Sequence, residues 1–211
     1  MKYKLYHYWR SSCSWRVRWA LRLKDIPCEF IPVNLLTDEI ESPEYLKRNP
    51  MGYVPALEVT DGTRVNVLCE SIPIVEYLEE THSSYSLLPG DSLQRAKIRQ
   101  LVETINAGTQ PLQNLNVFQL HSSVPEEQKK WNQTWIRKGL HAYETIAKPV
   151  AGKFSVGDQV TLADLVLIPQ CYNALRYEVS LSEFPLLDRI YKSALQTQAC
   201  SDSAPEKFQP A

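Results

Sequence analysis

The sequence predicts two domains of different class, an α/β domain over residues 1–82 and an all-α domain over residues 88–211. Three observations predict it. Strand-forming runs are confined to the first part of the chain, and beyond Asp91 the apolar residues recur at helical spacing. Between the two lies a polar stretch from Ser83-Ser84 to Pro89-Gly90, rich in turn residues. A chain of 211 residues is long enough for one large domain or two small ones, each with its own core.

The first strand comes from Tyr3, Leu5 and their aromatic neighbours and ends near Tyr8. A polar turn follows, Arg10-Ser11-Ser12-Cys13-Ser14, and then a helix from about Trp15 to Lys24 with Val17, Ala20 and Leu21 at helical spacing. Arg16, Arg18 and Arg22 are spread along it and read as a solvated or ion-paired face. Pro27 ends the pattern, and Cys28 to Val33 is rich in strand formers, which completes a βαβ unit. Pro43 to Arg48 is a short helical piece with proline in its first turn. Ala56–Val59 and Arg64–Leu68 flank Asp61-Gly62, a hairpin signature. A helix from Ile72 to Glu80 places Ile74, Val75 and Leu78 on one face, with Ser71 as its N-cap. The order β-α-β-(α)-β-β-α, with a proline before the hairpin, is that of a thioredoxin-like domain.

In the second domain, Leu93 to Phe118 is helical in tendency, and Gly108 and Pro111 kink or split it. Pro125-Glu126-Glu127 opens a helix through Trp131, Trp135, Leu140, Tyr143 and Ile146, with acids in its first turn. Thr161-Leu162-Ala163-Asp164 is a capping box with aspartate in the usual glutamate place. Pro185 to Thr197 supplies a last helix, and the polar tail from Ser201 to Ala211 is expected on the surface.

Bulk properties narrow the function. The net charge is −1, with no basic run, which argues against a nucleic-acid or anionic-membrane partner. No stretch approaches the ~20 apolar residues that span a bilayer, and the N-terminus lacks the apolar core of a secretory signal. The five cysteines are odd in number and form no C-x-x-C pair, which points to free thiols in a reducing, cytoplasmic compartment. The four histidines have no metal-ligand spacing among themselves or with the cysteines.

Three places could carry chemistry. Ser11, Ser12 and Cys13 lie where a strand gives way to a helix N-terminus, whose unpaired N–H groups and dipole favour a thiolate. Plain helix capping explains the same serines equally well on local pattern. Val54-Pro55 precedes a strand. In a thioredoxin-like domain such a proline is cis, and the residue before it offers backbone N–H and C=O groups to an extended peptide. Glu70-Ser71 opens a helix that can bind a carboxylate, or be simply capped. A thiolate site, a peptide-backbone site and a carboxylate site together match the parts of glutathione.

The chain resembles the zeta-class glutathione transferases, the class that includes maleylacetoacetate isomerases. The resemblance is carried by Ser11-Ser12-Cys13-Ser14-Trp15-Arg16-Val17-Arg18, by Asn49-Pro50-Met51 with Val54-Pro55, and by Gln110-Pro111-Leu112-Gln113-Asn114-Leu115. Val156-Gly157-Asp158, Thr161-Leu162-Ala163-Asp164-Leu165 and Asn173-Ala174-Leu175-Arg176 extend it over most of the chain. It implies the glutathione transferase fold and glutathione as cofactor. Ser11, Ser12 and Cys13 then form the catalytic turn, with Ser11 the donor to the glutathione sulfur. Val54 pairs with the tripeptide backbone, Glu70 and Ser71 hold the γ-glutamyl end, and Gln110 and Asn114 approach from the helical domain. Arg176, with Arg10 beside the turn as a second anchor, holds a dicarboxylate substrate. Position 70 is often glutamine in the family, so Glu70 is a departure.

The implied reaction is cis–trans isomerisation of maleylacetoacetate to fumarylacetoacetate in tyrosine and phenylalanine catabolism. It proceeds by thiolate addition, bond rotation and elimination. A homodimer is implied as well, with Met51-Gly52-Tyr53 a contact. The alternatives are a maleylpyruvate isomerase, against which Cys13 argues, and a transferase acting on α-halo acids. A different class is a non-catalytic glutathione-transferase-like binding module, against which Ser11, Ser12 and Gln110 argue.

Overall fold

In the computed structural model, which describes residues 1–210, the alternation of Tyr3, Leu5 and His7 forms β1 (Lys2–His7), with those three side chains buried. β1 pairs in parallel with β2 (Glu29–Pro32) and antiparallel with β3 (Ala56–Asp61), which pairs antiparallel with β4 (Arg64–Cys69). The sheet order is β2-β1-β3-β4, so Leu5 meets Phe30 on one side and Leu57 on the other. The hairpin is tighter than Asp61-Gly62 suggests. Asp61 pairs with Arg64, leaving Gly62 and Thr63 as the loop, and Gly62 takes φ +58 there.

Helix α1 (Ser12–Leu23) crosses over between β1 and β2, and α2 (Pro43–Leu46) is a single turn ahead of β3. α3 (Ser71–Thr81) follows β4 and buries Ile72, Ile74, Val75 and Leu78. The 3₁₀ turn Asp38–Glu41 precedes α2. Lys24, at the end of α1, buries its ammonium against Glu79 at 2.7 Å and the His82 carbonyl at 2.8 Å, which ties α1 to the end of α3.

The helical unit begins with α4 (Ser92–Asn106), capped by Asp91, whose carboxylate accepts from the Gln94 N–H. The stretch expected to kink does split: the 3₁₀ turn Gln110–Gln113 and a short α5 (Leu115–His121) replace a continuous helix. α6 (Pro125–Ala147) and α7 (Leu162–Arg176) follow. α7 packs against α4, α6 and α8 (Pro185–Leu195). It is buried almost continuously from Leu162 to Cys171, as expected of a helix surrounded by others. No helix among the described residues is long and apolar enough to cross a membrane.

Two expectations are corrected at the C-terminus. Residues 198 onward group with Met1–Ser86, and the helical unit is Leu87–Thr197 alone. Helix α9 (Gln198–Ser203) lies on α1, and Ser203 and Pro205 are buried within the tail expected on the surface. That contact and the packing of α3 on α1 correct the reading of α1. Arg16 and Arg18 are fully buried, and only Arg22 of the three arginines is exposed. Arg18 donates to the Ser203 carbonyl at 3.0 Å, Trp15 Nε1 donates to Ser203 Oγ at 3.0 Å, and Phe208 lies against the Arg18 guanidinium. Periodicity within one helix cannot reveal a cover that comes from the far end of the chain.

Candidate active site

The turn after β1 is built by α1 itself. Ser11 is the N-cap, and its Oγ accepts from the Ser14 N–H at 3.1 Å. Ser14 Oγ accepts from the Tyr8 N–H at 3.4 Å, and the Ser11 N–H returns to the Tyr8 carbonyl at 3.1 Å. From the second turn of α1, Arg18 Nη1 and Nη2 donate to the Tyr8 and Trp9 carbonyls at 3.3 and 3.0 Å. Arg18 Nη1 also lies 3.2 Å from His7 Nδ1. Because a guanidinium only donates, that nitrogen accepts and the His7 proton sits on Nε2. Ser12 and Cys13 therefore occupy the first turn of a twelve-residue helix, Ser12 buried and Cys13 half-buried. The capping explanation of Ser11 holds, and it leaves the chemistry open. A hydroxyl that accepts from a backbone N–H keeps its own proton to donate. Arg10 stands beside the turn with its guanidinium 5.3 Å from the Trp9 ring centroid.

The loop 49–55 presents the second place. Asn49, buried, donates through Nδ2 to the Tyr53 carbonyl at 2.8 Å and accepts from the Met51 N–H at 3.1 Å. The Tyr45 hydroxyl donates to the same Tyr53 carbonyl at 2.7 Å. The Tyr53 carbonyl and the Val54 N–H share one peptide plane, so these two bonds fix the direction of that N–H. Gly52 adopts φ +65 within 3.1 Å of the Ile40 carbonyl for any added Cβ, so the bend suits glycine alone. The Val54–Pro55 bond is cis. Among the described residues no protein group pairs with the Val54 backbone.

The third place differs in detail from expectation. Ser71 is the first residue of α3 and not its cap; Glu70 holds that position with φ +66 and ψ 127 and caps nothing with its side chain. A non-glycine residue with φ in this region is uncommon and costs backbone strain; Asp25 and Glu178 share it. Ser71, 3% exposed, accepts from Arg16 Nη1 at 3.0 Å. Glu70 itself is exposed.

In the helical unit, Gln110 Nε2 donates to Asn114 Oδ1 at 2.9 Å, so these two expected residues meet, both half-buried. The turn that carries them is pinned by the neighbouring Gln113, whose side-chain amide exchanges two hydrogen bonds of 3.1 Å with Gln170 of α7. Arg176 ends α7, exposed, with Nη1 donating to Asn173 Oδ1 at 3.1 Å. Sequence reasoning named Arg16 and Asn49 within motifs that carry the resemblance, with no role in the site, and did not name Tyr45. The Asn49-Pro50 pair is a turn signal that could have flagged the loop. Arg16 carries no local signal.

A four-stranded sheet whose helix N-termini and proline loop are arranged in this way, joined to an all-helical unit, defines a class of thiol-peptide-binding protein. Residues 5–86 match the family model described as "Glutathione S-transferase, N-terminal domain", and residues 114–199 match its C-terminal domain. The chain belongs to the glutathione S-transferase family. Within it the similarity is to the zeta class. A probable maleylacetoacetate isomerase 2 of Drosophila melanogaster is 49% identical over 189 residues, 88% of this chain and 80% of that protein. The zeta-class glutathione S-transferase of Euphorbia esula is 43% identical over 209 residues, 98% of this chain and 91% of that protein. The crystal structure of a maleylacetoacetate isomerase from Anaeromyxobacter dehalogenans with GSH bound in the active site superposes with a TM-score of 0.91. It is 42% identical, covering 99% of this chain and 97% of that one.

Proposed function

We propose that this chain is a glutathione-dependent cis–trans isomerase that converts maleylacetoacetate to fumarylacetoacetate in the breakdown of tyrosine and phenylalanine. The observation that carries the reading is the pairing of the Ser11-Ser12-Cys13 helix start with the unpartnered Val54 backbone in one small unit. The donor set fits the cofactor. Val54 offers an N–H and a C=O to a peptide backbone, and Ser71 with the first N–H groups of α3 offers donors to a carboxylate. Glu70 offers a carboxylate to an ammonium group.

Glutathione, when bound, supplies the thiol nucleophile that makes the substrate's double bond temporarily single. Ser11 donates its hydroxyl proton towards the sulfur, and the N–H groups of Ser12 and Cys13 favour negative charge there. Cys13 has an auxiliary role beside Ser11. Gln110 and Asn114 act as a joined pair of amides from the helical unit. Arg176 and Arg10 take the carboxylates of a dianionic substrate, for which the planar fork of arginine is suited.

The decisive experiment is isomerisation of maleylacetone followed with and without glutathione. Turnover that requires the thiol supports the reading, and thiol-independent or absent turnover overturns it. The reading extends to a cytoplasmic homodimer, supported by five free cysteines and by Met51, 63% exposed beside the Val54 loop. Light scattering at the single-chain mass of 24.2 kDa would refute the dimer, and fractionation into a membrane or secreted pool would refute the compartment.

A further inference from the structure

Arg16 points from α1 to the start of α3, wholly out of solvent. Its Nη1 lies 3.0 Å from Ser71 Oγ. A guanidinium has no acceptor, so Ser71 is the acceptor in this pair and its own hydroxyl proton must turn elsewhere. Among the described residues no protein acceptor takes that proton. Ser71 is itself 3% exposed, and a buried hydroxyl proton without a partner is costly. A charged donor on one side of a hydroxyl also polarises it, which makes it a stronger donor on the other.

We propose that Arg16 is a positioning residue for glutathione: it fixes the Ser71 hydroxyl so that its proton faces the α-carboxylate of the γ-glutamyl group. The inference rests on the reading that the γ-glutamyl end is held at Ser71. Arg16 itself does not touch the ligand. It sets the rotor of the residue that does, and the N–H groups at the start of α3 complete the recognition. The strained backbone at Glu70 fits this arrangement, because it delivers Ser71 into the first turn of α3, where the side chain meets Arg16 and the backbone N–H is free of the helix ladder.

The test compares two peptides by titration calorimetry. One is glutathione; the other has γ-aminobutyrate in place of the γ-glutamyl residue and so lacks only the α-carboxylate. The wild-type chain should prefer glutathione by about tenfold or more, the scale of a hydrogen bond to a charged group. Arg16→Gln and Ser71→Ala should each reduce that preference to within about threefold, and the double variant should do no more than either alone. Equal weakening of both peptides by Arg16→Gln would make Arg16 a merely structural residue and overturn the proposal. Unchanged preference would overturn it too, as would a wild-type chain indifferent to the carboxylate. Should Arg16→Gln fail to fold, Arg16→Lys carries the test. Its donor keeps the charge without the rigid fork, so the preference should fall by about threefold with little change in the urea midpoint. Preference kept in full by that variant counts against the proposal. A wild-type chain that binds neither peptide overturns the isomerase reading as well, which separates the two failures.

Discussion

Ser11 caps α1, and the proposed function asks it to serve a sulfur as well; the geometry of a hydroxyl permits both. Its Oγ accepts from Ser14, so Ser11→Ala removes a cap and a donor together. Loss of the cap costs stability by ~1 kcal/mol, whereas loss of the donor should lower turnover of maleylacetone by about 100-fold or more. Cys13→Ala should reduce turnover to a lesser degree, and near-normal turnover of Ser11→Ala would place the donor elsewhere. His7 gives a pH prediction of its own. Burial first, and the Arg18 charge second, hold its pKa down to about 3, against 6.5 in an unfolded chain. Between those values the unfolded chain binds the extra proton and the folded one does not, so stability falls as pH falls through this window. The slope approaches about 1.4 kcal/mol per pH unit. His7→Asn, whose amide oxygen can still accept from Arg18, should flatten that acid limb in urea titrations at pH 4 to 7. An equally steep limb in the variant would clear His7 of the effect.

Elements differ in how openly they announce themselves. The capping box at the start of α7 was legible because all its parts lie within four residues. Asp164 accepts from the Thr161 N–H at 2.8 Å and also from the Ser155 N–H at 2.8 Å, nine residues back. Both donors are buried, and burial pushes the Asp164 pKa up despite these bonds. Asp164→Ala would leave the two N–H groups unpaired and should cost about 3 kcal/mol or more in urea unfolding. Asp164→Asn keeps an acceptor and should cost about half as much or less; equal costs would mean that packing, not the bonds, is at stake. The hairpin and the split of the first long helix were readable for the same reason, since glycine and proline act locally. α1 was readable as a helix but not as a buried one. Its burial depends on α3, which receives Arg16, and on α9, nearly 200 residues away, which receives Arg18, and two arginines on a helix look like a wet face until those covers are known. At the site, the serine-cysteine turn and Val54-Pro55 stood out in the sequence. The hydrogen bonds that fix them, from Arg18 to the Tyr8 and Trp9 carbonyls and from Asn49 and Tyr45 to the Tyr53 carbonyl, depend on the folded chain and carry no signal in the order of residues.

At the scale of the molecule, the α/β unit is discontinuous: it is completed by residues that follow the helical unit in the sequence. Ending the chain after Thr197 would remove the partners of Trp15 Nε1 and of Arg18 Nε and expose the face of α1. Such a truncation should lower the stability of the first unit by several kcal/mol, since buried donors and a buried cation lose their partners. Near-UV circular dichroism of Trp15 and Trp19 would follow it, and an unaltered urea midpoint would show that α9 is dispensable. The discontinuity also imposes an order in time. A ribosome adds about 5–20 residues each second, so about 6–24 s pass between the emergence of α3 and that of α9. Throughout that interval the nascent chain carries all four strands and an α1 whose Trp15 and Arg18 lack their Ser203 partners. The half to which the proposed function assigns the thiol is made first and finished last, and until then the face of α1 that α9 covers stays open to whatever in the cell shelters exposed apolar surface.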